Sequence, residues 1–262
     1  MAEITGCGRM GWSRRNAIRL ALAAGAVGLG GCERPAVEPQ RDVAPRGFPL
    51  PEQTAGLFRD GSRHQLDNGD WVTATTKAGG TLRMPTGRLI AADPNWFWNA
   101  ENLNVVPYTV TVPAGSYPVT LAVVSWPDIS LVAAARLTVQ HLPIQSWEMA
   151  LRPGQDLTAL APGEAYNVGV DAGMMALLDG AALTRMTPLV DSDPALFELK
   201  ARDEPIEVPG TGSGGNLIAF GTGWGDGGYP VWIGRTATGS VGCFMVDMAM
   251  LSRRESMPPL IN

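Results

Sequence analysis

The sequence predicts a mainly β domain, a β-rich α+β fold. It is expected as an antiparallel meander closing into a sandwich or partly open barrel with two or three short helices. Three observations carry this. Glycine and proline are abundant, at 32 and 21 of 262 residues. Apolar and polar residues alternate in short runs, as in Tyr108-Thr109-Val110-Thr111-Val112 and from Leu131 to Val139, the period of a half-buried strand. Turn-forming clusters separate the runs, at Gly79-Gly80, Pro113-Ala114-Gly115, Arg152-Pro153-Gly154 and Thr236 to Ser240.

Residues 1–31 read as an export signal. Ser13-Arg14-Arg15-Asn16-Ala17-Ile18-Arg19 resembles the twin-arginine pattern, with Ala17 where a phenylalanine is usual. The apolar run from Leu20 to Leu29 is too short for a bilayer span and fits the core of a secretory signal. It ends in Leu29-Gly30-Gly31-Cys32, similar to the lipobox of bacterial lipoproteins. That resemblance implies lipidation at Cys32 and a membrane-anchored protein facing the periplasm or the outside. Glu33 in place of aspartate favours the outer membrane of a Gram-negative cell. Residues 32–51, with Pro35, Pro39, Pro45, Pro49 and Pro51, read as a tether. Residues 52–251 form one β-rich domain, and 252–262 a flexible tail.

Within the domain, Trp71 to Thr76 is the first expected strand, with Gly79-Gly80 as a turn before Thr81 to Met84. Gly87 to Ala92 continues and closes on Asp93-Pro94. Trp96-Phe97-Trp98 is either a plug on the core or a stacking surface for a sugar-like ligand; the plug is the expected role. Strands follow at Val105 to Val112, Tyr117 to Trp126, Leu131 to Val139, Trp147 to Leu151 and Ala165 to Val170. After Asp171 two readings stay open. Met174, Leu177, Leu178, Ala181 and Ala182 fall at helical spacing with Asp171 as cap; otherwise Met174 to Leu178 is extended and Asp179 caps a shorter helix. Asp193-Pro194 starts a second helix to about Ala201. Gly210 to Gly215 spells a dinucleotide fingerprint, but Asn216 to Phe220 after it reads as a strand, whereas a phosphate site needs a helix N-terminus. Val231 to Ile233 and Val241 to Met250 make a last hairpin.

Cutting before Cys32 removes four arginines and one glutamate and takes the formal charge from −5 to −8. An acidic chain without basic clusters excludes nucleic acid as the expected partner. Cys7 leaves with the signal and Cys32 takes lipid, so Cys243 has no partner for an intrachain disulfide; its apolar surroundings predict a buried free thiol.

The densest stretch is Gly223-Trp224-Gly225-Asp226-Gly227-Gly228-Tyr229-Pro230-Val231, with a shorter echo at Gly115-Ser116-Tyr117-Pro118-Val119. Together with Gly87 to Pro94, Trp147 to Leu151, Gly169 to Gly173 with Asp179, and Val246-Asp247, these blocks resemble the bacterial domain of unknown function 4241 family over roughly residues 80–250. The resemblance implies a shared fold and brings no activity with it.

Only His64 and His141 remain after the signal, and no G-x-S-x-G elbow exists, so a hydrolase triad is poorly supported; a zinc site of three histidines is excluded by count, and the lone Cys243 rules out a cysteine cluster. The chemistry left is carboxylate. Asp93, Asp171, Asp179, Asp226 and Asp247 each end or interrupt an apolar run. Converging, they would hold calcium or magnesium or form an acid–base pair; apart, they cap turns. Trp224, Tyr229, Tyr117 and Arg88 are the expected supporting residues, and Asp171 and Asp226 are expected side by side at a sheet rim. The leading expectation is a lipid-anchored envelope domain that binds a protein or small ligand without catalysis, of immunity or adaptor type. The alternative is a carboxylate-based hydrolase, dependent on calcium or magnesium. No other cofactor is expected.

Overall fold

Strand register explains most of the chain. The computed structural model describes residues 51–97, 105–161, 163–186, 203–210 and 214–251, and every residue described below lies in this part of the chain. The larger sheet has eight strands. β1 (Arg63–Gln65), β2 (Trp71–Met84), β4 (Gly115–Ser125), β5 (Ser130–Thr138), β12 (Val241–Asp247), β11 (Gly227–Thr236) and β6 (Ile144–Met149) run side by side in that order, with β7 (Asn167–Val170) also on β11. The smaller sheet orders β3 (Leu89–Ala92), β8 (Met174–Asp179), β10 (Leu217–Gly221) and β9 (Ile206–Val208). All pairings among these strands are antiparallel. The large sheet curls into a half-barrel over the small one, as the sequence predicts for a mainly β fold.

Packing forms layers. Val119, Leu121, Leu137, Ile233 and Phe244 of the large sheet share one buried cluster with Leu89, Met175, Leu177, Ile218 and Phe220 of the small sheet. The opposite face of the small sheet, Ile90, Met174, Leu178, Leu217 and Val208, is covered by Phe97, Val105, Ala182 and Met186. With both faces covered, β3, β8 and β10 read as continuous apolar runs without alternation. Helix α1 (Pro51–Gly56) packs against β12.

The chain repeats one unit. The hairpin β4–β5 and the hairpin β11–β12 meet through β5 and β12, where Leu137 faces Phe244 and Ala135 faces Val246. Val119 pairs with Leu137, and Val231 pairs with Val246. A half-turn that carries the first hairpin onto the second therefore exchanges those two cross-pairs. Both hairpins also skip a partner residue at the same place, between Ala122 and Val123 and between Gly234 and Arg235. The small sheet obeys the same exchange, since Ala92 faces Ala176 and Ile90 faces Leu178. Aligned this way, Met84-Pro85-Thr86-Gly87 to Asp93 overlays Val170-Asp171-Ala172-Gly173 to Asp179. Gly87 and Gly173 both take the left-handed conformation, φ +66° and +62°, that glycine tolerates. The outer strand of the first half is one continuous β2. In the second half its place is shared by β6 and β7, which pair with successive stretches of β11.

Four expectations change. Gly79-Gly80 is not a turn, because the ladder to β4 carries on through it with a register shift between Ala78 and Gly80. Val105 to Val112 forms no strand. Its N–H groups go to two segments, Tyr108 to Leu89 and Val112 to Gly87 at and just before the start of β3, and Thr109 to Leu151, and Pro107 has no N–H to give. Met174 to Asp179 is a strand, so the reading with Asp171 as helix cap falls. The extended alternative is the one found, with Asp179 receiving the Ala181 N–H ahead of a short helical turn. Pro51 starts α1 and does not end a tether. Of the three expected plug aromatics, Phe97 is fully buried and Trp96 packs half-buried beside it, while Trp98 lies outside the described residues. The signal, Cys32, the rest of the tether, the expected helix from Asp193 and the tail lie outside the described residues.

Candidate functional site

The two fully buried aspartates Asp93 and Asp179 hold the halves together. Asp93 directly follows β3, and its Oδ2 accepts the N–H groups of Asp171 (2.6 Å) and Ala172 (2.9 Å), while its Oδ1 takes the N–H of Asn95 two residues on. Asp179 ends β8 and does the reverse. It accepts the N–H of Thr86 (3.1 Å) and Arg88 (3.3 Å) from the first half, and of Ala181 two residues on. Position 171 corresponds to Pro85, which has no N–H; the Thr86 hydroxyl donates to Asp179 at 2.7 Å instead. Burial pushes the Asp93 carboxyl up against the pull of its three N–H donors, with the neighbouring Asp171 charge adding to the rise. Neither oxygen pair faces open space, so both carboxylates are consumed in clamping backbone.

The paired tyrosines do equivalent work. Tyr117 Oη donates to the carbonyl of Pro113 and Tyr229 Oη to that of Gly225, each four residues upstream, and Tyr229 also reaches Thr222 O. Gly115 and Gly227, two residues before each tyrosine, leave room for the ring, since a Cβ there would sit 3.1 Å and 3.4 Å from the hydroxyl. The echo between the two Gly-x-Tyr-Pro-Val segments is thus a turn lock used twice.

Asp171 and Asp226 stand apart from these duties. Val170 pairs with Gly227, so Asp171 and Asp226 are the next residues off the ends of β7 and β11. Both are exposed. A Cβ on Gly173 would lie 3.5 Å from Gly225 Cα and 3.9 Å from Asp226 Oδ1. Neither carboxylate accepts a hydrogen bond from a described residue. Trp224, 44% exposed, tilts against Trp126 with ring centroids 5.7 Å apart. This rim gathers Asp93, Asp171, Asp226, Trp224 and Tyr229. Asp179, Arg88 and Tyr117 occupy the opposite rim, and the Arg88 side chain serves neither exposed aspartate among the described hydrogen bonds. The five aspartates therefore do not converge on one point.

Asp247 lies elsewhere, on the outer face of β12 beneath α1. It accepts from Thr54 Oγ1 and Ala249 N, both at 2.8 Å. The Trp232 indole N–H lies close enough to favour the charged carboxyl without meeting hydrogen-bond geometry. Burial outweighs these and pushes the carboxyl up to about 6. Cys243 is buried as expected, its thiol pushed up to about 11, which removes it as a nucleophile near neutral pH. Sequence reasoning named His64 but not its partner Ser62; the Ser62 Oγ and His64 Nε2 are 2.8 Å apart. Ser62 also bonds Gly56 O at 3.1 Å, an acceptor only. The pair is complete when Ser62 donates to Gly56 and His64 donates to Ser62, the polarity opposite to that of a general base.

A family model described as "Protein of unknown function (DUF4241)" matches residues 82–246. No curated protein and no solved structure matches the chain. The matched segment begins in β2 and ends in β12, so it takes in both repeats, both aspartate clamps and both tyrosine locks: the chain belongs to the DUF4241 family.

Proposed function

We propose that the protein is a lipid-anchored bacterial envelope domain of immunity or adaptor type, which binds a basic partner at the Asp171–Asp226 rim without catalysis. One observation carries this reading. The first half builds the same backbone with Pro85 and Ala114 where the second half has Asp171 and Asp226. By distance from the tyrosine, it has buried Val112 where the second has exposed Trp224. The fold therefore does not require these residues. Placing two like charges opposite each other across a strand pair costs stability, and an approaching cation relieves that cost. Tryptophan faces beside the carboxylates suit lysine and arginine side chains. The clamping duties of Asp93 and Asp179 weigh against the hydrolase alternative.

The test places a photo-crosslinking amino acid at Trp224 in the full chain, expressed in its native cell. One discrete basic protein should be captured, and Asp171→Asn with Asp226→Asn should abolish capture while changing stability by less than about 0.5 kcal/mol. The reading fails if the double variant captures the same protein equally well. It fails also if purified protein cleaves glycans or phosphoesters, with or without calcium or magnesium, and Asp226→Asn removes that activity.

A further inference from the structure

A second site lies on the outer face of the large sheet, away from the rim. A cavity of about 520 Å³ opens there between α1, the outward residues of β4 and β5, and the start of β6. That size suits a small molecule. Its charged centre is Arg136. The guanidinium stacks 4.3 Å from the Phe58 ring centroid, and its Nε is buried without a hydrogen-bond partner. Among the described residues Arg136 makes no ion pair; Glu52, which also lines the cavity, is exposed on α1. An unpaired, half-buried guanidinium is costly to keep.

The repeat again shows what the fold requires. Arg136 corresponds to Met245 in the second half, and the two face each other across the β5–β12 ladder. Met245 fills its place fully buried and apolar. A charge at position 136 is thus an addition to the architecture and not part of it.

We propose that this cavity binds a small molecule carrying one carboxylate on an apolar body. The planar fork of Arg136 matches a carboxylate in two parallel hydrogen bonds. The Thr138 hydroxyl stands two residues along the same face of β5. Trp147, Leu142 and Ile144 supply an apolar wall. Glu52 and the chain's net charge of −5 oppose a polyanion, which selects a single carboxylate over phosphate esters or nucleotides.

Calorimetric titration of the full chain with phenylacetate and with its neutral isostere phenylacetamide tests this. Phenylacetate should bind at least about tenfold more tightly than the amide, because the amide cannot engage the guanidinium as an ion pair. Arg136→Gln should abolish that preference, and Trp147→Ala should weaken both probes while keeping it. Trp147 is partly exposed, so its variant remains informative should Arg136→Gln not fold. Equal affinities for acid and amide, an acid preference that survives Arg136→Gln, or no phenylacetate binding at millimolar concentration would each overturn the proposal.

Discussion

Single carboxylates in this molecule have opposite fates, decided by what they face. Asp93 and Asp179 are surrounded by N–H groups aimed at them, whereas the Asp171 and Asp226 side chains sit in solvent. Asp247 is the intermediate case: it has donors, yet desolvation wins and its carboxyl rises from 3.8 to about 6. The folded protein then holds this proton at a pH where the unfolded chain has released it. Stability from this group is complete below about pH 4 and is lost as pH climbs through 6. The two values set the size of the loss at up to about 3 kcal/mol. Asp93, shifted the same way, adds to the slope. Urea titrations from pH 4 to 7 should show stability falling over this window, with Asp247→Asn flattening a large part of the fall. An Asp247→Asn variant whose stability changes with pH just as the parent's does would contradict the assignment.

At the scale of elements, the two left-handed glycines are equivalent in backbone and unequal in surroundings. A Cβ on Gly87 would lie 1.8 Å from Val112 O, a backbone atom held by its own chain, whereas a Cβ on Gly173 would meet nothing nearer than Gly225 Cα at 3.5 Å. Gly173→Ala should therefore cost about 1–2 kcal/mol, the strain of a left-handed alanine. Gly87→Ala adds a backbone displacement and should cost more than about 4 kcal/mol or prevent folding. Equal melting points for the two variants would show that the loops are not packed as described. The same pair explains what could be read in the sequence. The hairpins were legible because alternation and turn residues are local. The repeat was glimpsed only at its Gly-x-Tyr-Pro-Val segments. Between Gly87 and Asp93 or Gly173 and Asp179 the fillings Arg-Leu-Ile-Ala-Ala and Met-Met-Ala-Leu-Leu share only apolar character, and the second half carries β9 and β10 as an insertion. Burial on both faces of β8 erased the alternation that separates a strand from a helix. The Asp171–Asp226 pairing was legible because both residues end strands beside glycines. The Arg136 cavity was not, since it joins α1, β4, β5, β6 and β12 across long stretches of chain.

At the scale of the whole molecule, the halves depend on each other for satisfaction of buried groups. Cut at His141, in the exposed link between β5 and β6, the chain would part into fragments 1–141 and 142–262. The first fragment keeps Asp93 but loses the Asp171 and Ala172 N–H groups that complete it. The second keeps Asp179 but loses the Thr86 and Arg88 donors. Each loss leaves a buried carboxylate short of partners, at about 1–3 kcal/mol per unmade bond. Each fragment also bares one edge of the β5–β12 ladder and one of the β3–β8 ladder, rows of open backbone groups flanked by buried apolar side chains. A domain's net stability is only about 5–15 kcal/mol, too little to absorb these losses together. Neither fragment should fold alone, and each should show the far-UV circular dichroism of a largely unfolded or aggregating chain. Mixed at equal concentration they should recover the β spectrum and elute as a one-to-one complex, because every lost donor and both open edges return at once. Two fragments that are each monomeric and native-like would mean that the repeats are independent units, and that the reciprocal carboxylates are not what joins them.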